Sequence, residues 1–198
     1  MNRTILMVGV AEFGPLLSFF IAGRFTNFFE AVAILMCAVV IAVSCSWYFD
    51  RRIPWLPIIS GLFVLIGGFI TLTFRAPDAV IIADTLYYLF IVTALGIAFV
   101  RGTYLFKKLF GVIFAITDDG WRILCWRWFW FLLLAAFANE VARYFLTPEA
   151  WIDYRFYKSI VLTFFALYQL TLTKKHRVEG ISNKIGLRIQ TEKVQKPL

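Results

Sequence analysis

Charge is scarce in this 198-residue chain, at 16% of residues against about 25% for an ordinary soluble domain. With 61% hydrophobic residues, too few polar side chains remain to cover a water-soluble globule, so the solvent must be lipid. Histidine is nearly missing: His176 stands alone at the start of a basic tail. The three cysteines, Cys37, Cys45 and Cys125, are scattered through apolar stretches without a Cys-x-x-Cys pair, and read as small buried hydrophobes. A zinc or haem site of the usual composition has almost no ligands to draw on, and no cofactor is expected. Gly-x-Ser-x-Gly, His-Glu-x-x-His and a glycine-rich phosphate loop are all missing, which removes the common hydrolase, metalloprotease and nucleotide-binding readings. No convincing internal repeat suggests a transporter built on inverted halves. The Gly67-Gly68 pair and the Ala38-to-Ala42 spacing read instead as close helix contacts.

What is abundant is apolar bulk, including 22 Phe, 8 Tyr and 7 Trp, the opposite of a disordered composition. A bilayer core about 30 Å thick needs about 20 apolar residues at about 1.5 Å rise each. Residues 29–49, 54–74, 79–100, 123–146 and 152–173 meet that test. Residues 5–22 are marginal, because Glu12 interrupts them and Gly14-Pro15 would bend a helix; they either cross or enter partway. The start resembles a signal sequence, but Glu12 and the lack of an Ala-x-Ala-like site favour a retained segment. The expected fold is all-α: a polytopic membrane bundle of five to six transmembrane helices over residues 1–173, with a basic tail at 174–198.

The net charge of +8 is uneven, since the tail holds seven Lys/Arg against two Glu. With Arg51-Arg52 inside, so are the 101–122 loop and the tail, while Arg24, Arg75, Arg143, Arg155 and Lys158 fall towards the other side. This bias places the C-terminus in the cytoplasm. The tail meets anionic headgroups there or is retained by charge alone; without a folded basic surface, nucleic acid is not expected.

In the long loop, apolar pairs at 105/106, 109/110 and 113/114 recur every four residues around Lys107 and Lys108. That spacing predicts a short interfacial helix over 103–116, with a re-entrant turn as the competing reading. Thr117-Asp118-Asp119-Gly120 stops it, and either aspartate can cap a helix starting near Trp121. Trp121, Trp126, Arg127, Trp128 and Trp130 then read as interface anchors. Thr147-Pro148 reads as the cap and first residue of the last helix.

Ionisable groups within lipid are functional candidates by default. Glu30, Asp84 and Arg143 lie near helix ends and read as caps or interface ion pairs. Glu12 and Glu140 lie deeper, with Asn139 beside Glu140 and Arg143 three residues on, placed to pair with it. Their roles stay open between packing contact and function.

From Glu12 to His176 the chain resembles the intracellular septation protein A, or YciB, family of bacterial inner-membrane proteins. The resemblance rests on Glu12-Phe13-Gly14-Pro15-Leu16, Ser46-Trp47 with Arg52-Ile53-Pro54, Pro57-Ile58-Ile59-Ser60-Gly61, and Gly67-Gly68 with Thr71-Leu72. Its most specific block is Thr117-Asp118-Asp119-Gly120-Trp121-Arg122, continuing through Trp126-Arg127-Trp128 to Asn139-Glu140; Trp151 and Tyr154-Arg155-Phe156 follow. One departure is that the family's Phe-Ile-Lys-x-Lys-Pro-Thr element is replaced by Asp78-Ala79-Val80-Ile81-Ile82-Ala83-Asp84-Thr85, without either lysine. The resemblance implies a non-enzymatic protein supporting envelope biogenesis, envelope integrity and septation through contact with division or wall-synthesis proteins. It carries over no catalytic residues and no oligomeric state. The alternative is a small transporter or lipid-handling protein with Glu12, Glu140 and Arg143 lining a polar path.

Overall fold

The computed structural model describes the backbone of residues 2–50, 55–111 and 114–178, and side chains from residue 14 onward except 49–56 and 112–113. Seven helices account for nearly all of it: α1 (Asn2–Phe25), α2 (Phe28–Asp50), α3 (Trp55–Phe74), α4 (Asp78–Val100), α5 (Leu105–Phe110), α6 (Asp118–Phe145) and α7 (Pro148–Lys175). Helices α2, α3, α4 and α6 are long and apolar enough to cross a membrane. The chain is therefore an all-α, polytopic membrane protein. Segment 5–22 lies within the continuous helix α1, which passes through Pro15.

The contacts divide the chain into two compact units, residues 1–90 with 133–160, and residues 91–132 with 161–198. In the first unit, helix starts are fixed by local chemistry. Asn27 caps α2, its side-chain oxygen accepting the Glu30 N–H at 3.0 Å. Thr147 caps α7 in the same way through the Ala150 N–H at 3.3 Å, with Pro148 as the first helical residue, as the sequence predicts. Helix α4 follows Pro77, which has no capping oxygen. The cap comes instead from α3, where the fully buried Thr71 hydroxyl accepts the Val80 N–H at 3.0 Å. Phe19, Phe28, Val32, Leu35, Val80 and Trp151 form the core of this unit. Gly67 lets α3 lie against α4: a Cβ there would overlap Ala83 and come within 3.0 Å of the Ala79 carbonyl oxygen. Gly68 likewise makes room for Met36. Both glycines serve close helix contact, the reading their sequence suggested.

In the second unit α4 ends in a Schellman turn, with Gly102 at φ +64° and N–H groups of Gly102 and Thr103 donating to the carbonyls of Phe99 and Ala98. The loop helix is shorter than the periodicity of 103–116 predicts, covering only Leu105–Phe110. Beyond it the chain takes other partners. Thr117 N–H donates to His176 O at 2.9 Å, and Val178 N–H to Ala115 O at 3.1 Å, around an antiparallel bridge between Ile116 and Arg177. Residues 115–117 satisfy their backbone by pairing with the chain just after α7, so a helical turn there is not needed. The tail predicted from 174 is thus structured through 178; residues 179–198 lie outside the described part. Cys37 and Cys45 are exposed on α2, and only Cys125 is buried as expected.

Candidate functional site

Apart from Thr71, the buried polar side chains described in the first unit gather at one place. Asn139 of α6 is fully buried and makes four hydrogen bonds. Its Nδ2 donates to the Ile81 carbonyl at 3.0 Å and to Thr85 Oγ1 at 2.9 Å, both on α4. Its Oδ1 accepts from Trp151 Nε1 at 3.1 Å and Lys158 Nζ at 3.0 Å, both on α7. One amide thereby ties three helices, using donors and acceptors in the proportion an amide supplies.

Two ion-paired arms extend from this hub. On one, Thr85 Oγ1 donates to Glu140 Oε1 at 2.6 Å, and Glu140 Oε2 accepts from Arg143 Nη2 at 2.7 Å and Nε at 2.8 Å. Arg143 also lies 4.0 Å from Asp78. On the other, Asp84 pairs with Lys158 and, at 3.4 Å, with Arg155. The side chains of these three residues are 8, 10 and 12% exposed, respectively. Aromatic faces complete their surroundings. Lys158 sits over the Tyr88 and Tyr154 rings at 4.8 and 5.2 Å, and Arg155 over Trp151 and Phe19 at 5.2 and 5.7 Å. Three carboxylates meet three cations, so the network is neutral as a whole, which is what lets ionised groups persist at membrane depth.

Of the residues singled out by sequence, Glu140 and Arg143 pair as their spacing allows, and Asn139 is linked to Glu140 only through Thr85. The side chain of Glu12 lies outside the described residues. Asp84 departs from its expected role as an end group: it is a buried counter-ion, six residues into α4, and it recruits Arg155 and Lys158, which sequence reading had placed merely near a helix end. The available signal was depth. At about 1.5 Å per residue, Asp84, Asn139 and Arg155 each lie about 9–10 Å from the helix ends of 78, 145 and 148, and so share one level if those ends do.

The expected interface belt belongs to the second unit and is only partly a belt. Trp126 and Trp130 are about half exposed, with Trp126 stacked on Phe129. Trp121 is 2% exposed, so it is a core residue and no interface anchor. Trp128 is half-buried against Phe106 and Phe165, and Arg127 turns to Gln169 at 3.4 Å and the Tyr168 ring. Inward and outward sides alternate on α6 with helical spacing, a pattern that a count of tryptophans cannot resolve. Lys107 pairs with Asp118, whereas its neighbour Lys108 is exposed and makes no ion pair among the described residues. Thr117, and neither aspartate, caps α6 through the Gly120 N–H at 3.3 Å. Gly120 itself is packed under His176, whose Cβ would lie 2.8 Å from an added Cβ. The block Thr117 to Arg122 is thus a fastening: a cap, two ion pairs (Asp118 to Lys107, Asp119 to Arg122), a close approach and a buried indole.

The profile of the family described as intracellular septation protein A matches residues 7–179, nearly the whole span that carries these features. This chain belongs to that family. Among relatives, the inner membrane-spanning protein YciB of Nitrobacter hamburgensis is 31% identical over 169 residues, covering 85% of each chain. The YciB of Afipia carboxidovorans is 32% identical over 168 residues, 84% of each, and that of Agrobacterium fabrum 29% over 196 residues, covering 89% of this chain and 94% of its own. No solved structure matches.

Proposed function

We propose that this chain works in the bacterial inner membrane as a non-catalytic interaction component of septation and envelope maintenance. The observation that carries the reading is how fully the Asn139 hub and the carboxylates beside it are engaged. Thr85, Asn139, Glu140 and Asp84 have their polar atoms engaged across helices, an arrangement that fastens α4, α6 and α7 and leaves the exposed aromatic and aliphatic faces for lipid and membrane partners. The names of its relatives, membrane-spanning and septation proteins, support this reading. Its partners are then the bilayer, anionic headgroups at the cytoplasmic face through Lys108 and the tail, and division or wall-synthesis membrane proteins.

The C-terminus is assigned to the cytoplasm. Pairing accords with the charge bias: of the cations towards the other side, Arg24 pairs with Asp153, Arg143 with Glu140, Arg155 and Lys158 share Asp84, and Arg75 lies over the Phe29 ring. Cysteines placed at Thr147 and in the tail check it, with external labelling expected only at 147. The role is tested by a Glu12→Gln, Glu140→Gln variant in a strain that depends on this protein for division. A scaffold retains function if the variant is inserted and folded, and in-cell crosslinking recovers the same partners. Loss of function in a folded, inserted variant would instead identify a small carrier or lipid-handling protein.

A further inference from the structure

Two donors in the first unit have no acceptor. Arg155 Nη1 and the Tyr154 hydroxyl are buried and make no hydrogen bond, although Arg155 Nη2 reaches Asp84. The local charge is uneven in the same sense: among the described residues Arg155 and Lys158 share the single carboxylate of Asp84, while the other two carboxylates of the network, Glu140 and Asp78, sit with Arg143. An unmatched guanidinium donor at this burial is costly unless an anionic oxygen completes it, and guanidinium donors suit phosphate geometry.

We propose that Arg155 and Tyr154 receive a phosphate oxygen, supplied by a phospholipid headgroup where α1 ends and α7 begins. Depth selects this source. Asp153, the residue just before Tyr154 in α7, makes an exposed ion pair with Arg24 at 2.7 Å, so solvent-exposed charge adjoins the two donors. Arg155 lies about 10 Å along the helix from Pro148, within reach of headgroups that extend about 5–7 Å beyond the hydrocarbon on each side. Asp84 acts as a positioning residue, holding one edge of the guanidinium and leaving the other for the ligand.

The test uses the full chain, delipidated in detergent, with native mass spectrometry and thermal shift as readouts. Phosphatidylglycerol is expected to be retained and to stabilise, while diacylglycerol, which has the tails without the phosphate, is not. Arg155→Gln is expected to weaken retention at least about tenfold. Tyr154→Phe removes only an unpartnered hydroxyl, so it should leave the lipid-free protein as stable as before while still weakening phosphatidylglycerol. Stabilisation by inorganic phosphate alone, lost in both variants, would support the same chemistry with a free anion as its source. Equal retention of phosphatidylglycerol and diacylglycerol, or unchanged retention in Tyr154→Phe and Arg155→Gln, would overturn the proposal and assign the two donors to water.

Discussion

Replacing Asn139 by leucine removes four hydrogen bonds while keeping a side chain branched at the same atom, though a bulkier one. Within a bilayer an interhelical hydrogen bond is worth about 0.6 kcal/mol on average and up to about 1.7. Asn139 makes two such bonds to α4 and two to α7, one of them to the Lys158 ammonium. Four average bonds give roughly 2.4 kcal/mol. Leaving the Trp151 N–H and a Lys158 donor unpaired beside an apolar side chain raises this, since each orphaned buried donor costs about 1–3 kcal/mol. The expected loss is therefore about 3–5 kcal/mol, read from reversible unfolding in mixed micelles. Trp151→Phe, which removes a single donor, should cost about a quarter to a half of that. If Asn139→Leu unfolds within about 0.5 kcal/mol of the parent, an ordinary surface-substitution effect, the hub reasoning is wrong.

Asp84→Asn leaves Arg155 and Lys158 without their carboxylate, and a loss of about 3–5 kcal/mol is expected in the same unfolding assay. Adding Lys158→Met should recover part of it, because the charge left uncompensated is then smaller. Gly67→Ala drives a methyl into Ala83 and should cost about 1–3 kcal/mol, partly restored by Ala83→Gly; failure of that rescue would show that the α3–α4 approach is not the limiting contact. Gly120→Ala should push His176 away and speed hydrogen exchange of the Thr117 and Val178 amides, with global stability lowered by about 1–2 kcal/mol. Unchanged exchange at those two amides would count against the fastening of the loop to residues 176–178.

How much of this was legible depended on range along the chain. The long apolar helices and the Thr147-Pro148 start follow from composition and from residues three or four apart, and were readable. So was the Glu140–Arg143 pair, which needs only helical spacing. Asp84 was misread because its partner Lys158 is 74 residues away, and nothing local distinguishes a buried counter-ion from an end group. Trp121 was misread for a related reason: indole at a helix start suits both interface and core, and the choice depends on what packs over it. The 103–116 periodicity was real, yet half of it gave way when residues 176–178 offered backbone partners that the loop sequence could not reveal.

The Asp84–Lys158 pair also orders events in time. Helix α4 is made before α7, and 74 residues separate the two charges. At about 5–20 residues per second, Asp84 waits roughly 4–15 s for its cation. An unpaired aspartate at the centre of a membrane helix costs about 2.5–3.5 kcal/mol to insert, an upper bound for Asp84, six residues into α4. During that interval the apolar residues of α4 alone must offset this cost, and the gain from pairing comes only when α7 arrives.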